Sequence, residues 1–276
     1  MSITLTASMR SNLSSLKVIQ AQMDKTQERL STGKKVNSAI DNASSYYQSR
    51  SLTNRAADLD SLLDGMSQGV QTIQAANEGI EAITSFVEQM KSIAESAAAL
   101  DKNATGYATK VGEFAKQFDA IQEQVVDLAK DASYQGVNLL TGNELKVVFN
   151  ESRNNDLVVT GKNIVTAMNI TAASGDDGWK KADVDNIGNS ITEITTAIDT
   201  LRSYATELGN NFTIIETRQN FTEAMIDVLE TGADKLVLAD MNEESANYLA
   251  LQTRQQLAIN SLSLASQAAQ SVLSLF

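Results

Sequence analysis

Apolar residues recur every seven positions near both ends of this 276-residue chain. At the start the row consists of Met9, Leu16, Met23 and Leu30. At the end the row and its companion consist of Leu251, Ala258, Ala265 and Val272, and of Leu262, Ala269 and Phe276. This spacing predicts amphipathic helices that pack along a narrow seam, as in a coiled coil. Because no charged residue follows Arg254, we expect the last helix to be buried against a partner, and we interpret both seams as surfaces for self-assembly.

The middle of the chain continues the helical pattern in longer stretches. Between 58 and 100, two rows of mostly apolar residues recur every seven positions without interruption, one starting at Leu59 and the other at Leu62. A further helix is predicted at about 105–132, and another begins near Asp183. We expect a joint at Gly232, followed by a final helix over 241–276 that Asn242 caps.

Two segments interrupt this pattern. In the first, 32–42, Gly33 is expected to end the first helix, and Asp41 or Asn42 to cap the second. In the second, 145–182, the apolar period changes from helical spacing to two, with polar turn residues at 151–156. This change predicts one β-hairpin followed by a loop.

These elements predict a mainly α protein. Its expected form is an elongated antiparallel helical coiled-coil rod with paired terminal helices and one small β-hairpin. The terminal helices are 1–31 and 241–276, the linker is 32–42, and the helical rod is 43–240 with its hairpin and loop at 145–182.

Composition excludes several classes of function. The chain has no Cys and no His, so it lacks thiol nucleophiles, thiolate and imidazole metal ligands, and the commonest general base. The acidic pair Asp176–Asp177 does not match a calcium-loop pattern. We therefore predict no catalytic residue, no cofactor and no metal site. The absence of Pro removes slow prolyl isomerisation and suits a chain that is exported unfolded.

The charge is unevenly distributed. The net charge is −12, which argues against nucleic acid as the main partner. Residues 1–57 hold eight basic and three acidic residues, a balance of +5, and the remainder carries −17. The basic segment either attracts the acidic part of a second copy or is simply solvated. No apolar run is long enough for a membrane helix, and no secretory signal is visible at Met1–Arg10.

Three stretches resemble bacterial flagellin. Glu28–Asp41 reads ERLSTGKKVNSAID, similar to the family pattern E-R-L-S-S/T-G-L/K-R/K-I/V-N-S/R-A-x-D. Tyr134–Gly142 reads YQGVNLLTG, similar to F/Y-N-G-x-x-L-L-x-G. Gln267–Phe276 reads QAAQSVLSLF, similar to a pattern that ends in QNVLSLL. The resemblance covers about 1–142 and 183–276, and leaves out the hairpin segment.

The resemblance implies a subunit that polymerises into the extracellular flagellar filament used for swimming. By this likeness the paired terminal helices form the inner core domain, 32–42 the spoke and 43–240 the outer domain. The implied partners are further copies of the chain, the flagellar export apparatus, a secretion chaperone, the filament cap and the hook-junction proteins. Export would then need no cleaved signal peptide.

Two alternatives stay open at this point. A hook–filament junction protein shares the spoke motif but usually continues it with N-P-S-D-D-P, whereas Asn37–Asn42 here contains no Pro. An unrelated coiled-coil interaction module would not need all three flagellin-like motifs. A receptor motif of some flagellins, Q-R-V-R-E-L-A, corresponds here to Glu88–Ala94, where Gln89 replaces the first arginine, so the resemblance does not by itself imply recognition by the innate flagellin receptor.

Overall fold

The computed structural model describes residues 7–174, 178–179 and 184–273. The chain divides into a terminal unit, Met1–Ala56 with Asp227–Phe276, and a central unit, Ala57–Ile226. Within the described residues the elements are α1 (Ala7–Thr32), α2 (Ala43–Ala98), α3 (Tyr107–Asp131), β1 (Leu145–Val148), β2 (Asp156–Val159), α4 (Ile164–Met168), α5 (Val184–Val237) and α6 (Met241–Leu273). The predictions of a mainly helical chain, of paired terminal helices and of one hairpin are confirmed.

Three details differ from the prediction. The segment after the hairpin contains the short helix α4, because the Asn163 side chain accepts a hydrogen bond from Thr166 N and so caps it. Helix α5 continues through Gly232, since one glycine costs a helix only about 1 kcal/mol relative to alanine. Asp240, not Asn242, caps α6: its Oδ1 accepts from Asn242 N at 2.9 Å and from Glu243 N at 3.2 Å.

In the terminal unit, α1 packs against α6, and the segment after α1 pairs with the segment after α5. Gly33 ends α1 as predicted, with φ of +70° and its N–H bonded to Arg29 O. Lys35 N donates to Val237 O at 2.7 Å, and Ala239 N donates to Gly33 O at 2.9 Å. These backbone hydrogen bonds join the segment after α1 to the segment between α5 and α6. They hold the C-terminal end of α1 next to the N-terminal end of α6.

The central unit is built around a continuous apolar core. In this core the predicted rows of α2 and α5 face each other, and Gln219 Nε2 donates to Ser67 Oγ at 3.0 Å between the two helices. The largest fully buried side chains of the core are Tyr204, Phe118, Met66, Ile73, Ile83, Met90, Leu139, Leu140, Ile164, Ile187, Ile194 and Leu201. Burying each such side chain contributes about 1.5–3 kcal/mol. The core lies wholly within 66–215, so the central unit does not depend on the terminal helices for its apolar burial.

The hairpin lies against this core through alternate residues. Strands β1 and β2 are antiparallel, with Leu145 opposite Val159 and Val148 opposite Asp156. Val147 and Val159 are buried, whereas Val158 is exposed, as expected from the period of two in a half-buried strand. The Val147 side chain packs so closely on α2 that a Cβ at Gly69 would lie 2.7 Å from its Cγ2.

Polar groups fix the loops around the core. The Tyr204 hydroxyl donates to Leu139 O at 3.0 Å and accepts from Lys162 N at 3.2 Å. Burial disfavours the phenolate and raises the pKa of Tyr204 to about 12. Trp179 Nε1 donates to Ser190 Oγ at 3.0 Å, and its ring packs on Phe118 with centroids 5.0 Å apart.

Two glycines of α2 offer a matched test of this packing. A Cβ at Gly79 would lie 2.8 Å from both Ala132 Cβ and Leu140 Cδ1, whereas a Cβ at Gly65 would meet nothing within 4 Å. We expect Gly79→Ala to lower the melting temperature, because overpacking costs about 1–3 kcal/mol and outweighs the helix gain. Gly65→Ala should raise stability by about 0.5–1 kcal/mol. Thermal and urea unfolding followed by circular dichroism measures both, and equal shifts would contradict the packing argument.

Candidate assembly interface

Helices α1 and α6 run antiparallel in one well-defined register. Gln255 Nε2 donates to Gln20 Oε1 at 2.6 Å, and Arg29 Nη1 donates to Glu244 Oε1 at 2.7 Å. The residue numbers in these pairs add to 275 and 273, so residues whose numbers add to about 274 lie level with each other. On this register the level pairs of the two predicted rows are Met9 with Ala265, Leu16 with Ala258, and Met23 with Leu251.

The structure brings most of the predicted seam residues to this contact. Met9, Met23 and Leu251 are buried. The half-buried members are Leu16, Leu30, Ala258, Leu262 and Ala265. The side chains of Ala269 and Val272, and all of Phe276, lie outside the described residues. The seam is therefore the surface that joins α1 to α6 within one chain, and its part in contacts between copies stays a prediction.

A charged pair that sequence reasoning missed lies at one end of the seam. Glu244 is buried at 7% exposure and takes its charged hydrogen bond from Arg29. From the sequence, Glu244 is typical of an exposed acidic residue in the first turn of a helix. In the register of the two helices Glu244 lies level with Leu30, and therefore in the seam. The sequence does not show this, because the register is known only once α1 and α6 are paired.

Helix α6 has a second apolar face that no described residue covers. Leu249, Leu257 and Leu264 are 62%, 61% and 66% exposed. With 3.6 residues per turn they lie roughly 100° to 180° around the helix axis from Leu251 and Ala258. The step of seven from Leu257 to Leu264 was available in the sequence, but periodicity alone does not show which of two apolar rows faces α1. Large apolar side chains aligned on one exposed helix face mark an interaction surface.

The turn before α2 is held by one carboxylate. Asp41 Oδ2 accepts from Asn37 N and Ser38 N, both at 3.2 Å, and Asp41 Oδ1 lies 3.4 Å from Lys25 Nζ. The hydrogen bond from Asn37 is the largest cause that lowers the pKa of Asp41 below its usual 3.8. Because the folded pKa is the lower one, this stabilisation is present above pH 3.8 and is lost as the pH falls through the folded value. Asn42 Oδ1 accepts from Ser45 N and caps α2, as predicted.

The described residues contain no cluster of three acidic, His or Cys side chains that could hold a metal ion. In the same part of the chain, every helix is too short or too polar to cross a lipid bilayer. What the surface offers is apolar side chains and paired charges, which suit contact with another protein.

Comparisons with known proteins found similar sequences and a structure with partial similarity. The bacterial flagellin N-terminal helical region matches residues 3–144, and the bacterial flagellin C-terminal helical region matches residues 191–276. The chain is 30% identical to flagellin FljM of Caulobacter vibrioides over 96% of its length and 94% of that protein. It is also 30% identical to a flagellin of Brucella melitensis, over 98% and 99% of the two chains. The crystal structure of Bacillus cereus flagellin superposes with a TM-score of 0.46 at 15% identity, covering 56% of this chain and 86% of that one.

Proposed function

The chain belongs to the bacterial flagellin family, and we propose that its paired helices α1 and α6 carry the surface through which copies of it polymerise. As a flagellin, the chain is a structural subunit of the extracellular flagellar filament that drives motility, and it is not an enzyme. It polymerises with further copies of itself. Family membership excludes an unrelated coiled-coil module, and the full-length relatives named as flagellins favour a filament subunit over a junction protein.

The distribution of exposed apolar side chains is the observation that carries the proposal. Fourteen large apolar residues among those described are exposed, and eleven of them belong to the terminal unit, which is the smaller of the two units. The eleven are Leu13, Val18, Ile40, Tyr47, Val228, Leu238, Met241, Leu249, Leu257, Ile259 and Leu264. Covering apolar surface is the main favourable term in most protein association, so the terminal unit gains most from contact with other copies.

We assign two roles to the apolar residues of α1 and α6. The seam between the helices sets their register within one chain, and the outer face of α6 packs against neighbouring copies. The residues predicted for self-assembly serve it through the first role, by holding α1 and α6 in register; they are Met9, Leu16, Met23, Leu30, Leu251, Ala258, Leu262, Ala265, Ala269, Val272 and Phe276. The domain roles follow the same proposal: 1–31 with 241–276 form the inner core, 32–42 the spoke and 43–240 the outer domain.

The remaining proposed partners act before and during assembly. They are the flagellar export apparatus and a secretion chaperone, which deliver the chain, and the filament cap and hook-junction proteins, which it meets in the filament. A chain without Cys or Pro forms no disulfide and undergoes no slow prolyl isomerisation, so neither process delays its folding after passage through an export channel. This supports delivery in an unfolded form.

Hydrogen exchange before and after polymerisation tests the proposal. In soluble protein we expect amides of α1 and α6 to exchange much faster than those of the core helices, because a two-helix seam opens locally at low cost. In filaments of the same preparation, protection of 241–273 should rise by at least roughly tenfold, while protection of 66–98 changes little. Electron microscopy confirms the filaments. Unchanged protection in α6 within filaments would disprove its role as the assembly surface.

A further inference from the structure

A basic cleft lies between α1 and α6, next to the seam. Its volume is about 320 Å³, and its charged lining consists of Lys25, Arg29 and Arg254 with the single acidic residue Glu244. All four residues belong to the terminal unit. The cleft therefore gathers three positive charges around one negative charge, in a chain whose net charge is −12.

The ion pairs within the chain leave one of these charges uncompensated. Lys25 Nζ lies 3.4 Å from Asp41 Oδ1, and Arg29 Nη1 lies 2.7 Å from Glu244 Oε1. Arg254 forms no ion pair with any residue in the described part of the chain. One positive charge at the cleft is thus available to an incoming anion.

Arg29 also presents an unused hydrogen-bonding edge. Its Nη1 donates to Glu244, whereas its Nε is buried and has no acceptor among the described residues. In a guanidinium group Nε and Nη2 form one planar edge that binds a carboxylate through two parallel hydrogen bonds. A buried N–H without an acceptor costs about 1–3 kcal/mol, so Arg29 gains once a side-chain shift lets a carboxylate reach this edge.

We propose that the cleft receives an Asp or Glu side chain from a second copy of this chain in the filament. The inference rests on the proposed assembly through α1 and α6, because only then does a neighbouring copy lie against the cleft. Charge complementarity favours this occupant: the cleft has an excess of positive charge, and each copy carries 34 Asp and Glu residues against 22 Lys and Arg residues. The incoming carboxylate neutralises Arg254 and, after a side-chain shift that uncovers the buried Nε of Arg29, accepts from this edge.

Charge reversal at Arg254 tests the inference. Close interfacial charge pairs couple by about 1.5 kcal/mol or more, so Arg254→Glu should raise the critical concentration for polymerisation roughly tenfold or more. The matched control is Lys17→Glu, which makes the same charge change at an exposed position of α1 outside the cleft, and should raise the critical concentration far less. Arg254→Lys keeps the charge and should recover most of the loss. Circular dichroism checks that each variant keeps its helices. Equal effects of Arg254→Glu and Lys17→Glu would overturn the inference.

Cross-linking identifies the occupant. Filaments of Arg254→Lys are assembled from an equal mixture of ¹⁵N-labelled and unlabelled protein and treated with a carbodiimide, which joins an amine to a carboxylate in direct contact. We expect a cross-link from position 254 to an Asp or Glu of a second copy, recognised by its mixed isotopes. Filaments that give only links within one copy, or none at 254, would refute the inference while leaving polymerisation itself intact. A wild-type chain that forms no filaments would instead refute the proposed function.

Discussion

Deleting 251–276 is expected to abolish filament formation while the central unit stays folded. The deletion removes most of α6, including Leu251 of the seam and the outer residues Leu257 and Leu264. The apolar core of the central unit lies within 66–215 and contains no residue of α6. We therefore expect helical circular dichroism and a cooperative unfolding transition to persist, with no sedimentable polymer at any attainable concentration.

Deleting 1–31 provides the reciprocal test. This deletion removes the seam partner of α6 and should have the same two consequences. Electron microscopy and sedimentation detect polymer, and urea unfolding reports the central unit. Filaments assembled from either truncated protein would contradict the proposed role of the terminal helices. Loss of cooperative unfolding would instead show that the central unit depends on them.

Placing a charge on the outer face of α6 is expected to block assembly without harming the subunit. Leu257 is 61% exposed in the single chain, so Leu257→Asp should leave the melting temperature nearly unchanged. In a polymer the same position would be covered, and an unpaired buried charge costs several kcal/mol. The critical concentration should therefore rise at least roughly 100-fold.

Gln252→Asp is the matched control for this variant. It adds the same charge to α6 at an exposed position outside the Leu249, Leu257 and Leu264 face, and should raise the critical concentration much less. Leu264→Asp should reproduce the block, since it lies seven residues further along the same face. If Leu257→Asp polymerises like the wild type, the outer face of α6 is not a contact between copies.

Helical periodicity located most elements because one face of each helix is buried. The rows that begin at Leu59 and Leu62 predict α2, and the steps of three and four after Asp183 predict α5. The period of two at 145–149 predicts β1 for the same reason. Where burial is slight the pattern fails: α4 has five residues, and only Ile164 and Met168 of these are buried, so its sequence is indistinguishable from a loop.

The candidate interface was only partly predictable. The seven-residue rows place Met9, Met23 and Leu251 on apolar stripes, and these three are buried. The rows do not reveal that Leu257 and Leu264 form a second apolar face. The spacing of apolar residues is the same whether that face packs on α1, packs on another copy or is exposed to water. The cap at Asp240 was also missed, since Asp240 and Asn242 are equally good cap residues and the chain direction entering α6 decides between them.

The sequence by itself determined the helical class, the paired seams, the hairpin, the absence of thiol and imidazole chemistry, and the flagellin resemblance. These follow from residue type and spacing along one chain, which are local properties. The tertiary structure alone decided the register of α1 against α6, the burial of Glu244 opposite Arg29 and the buried Nε of that guanidinium, which has no acceptor among the described residues. Such features depend on which residues from distant parts of the chain lie level with each other, and spacing within one helix carries no information about its alignment with another.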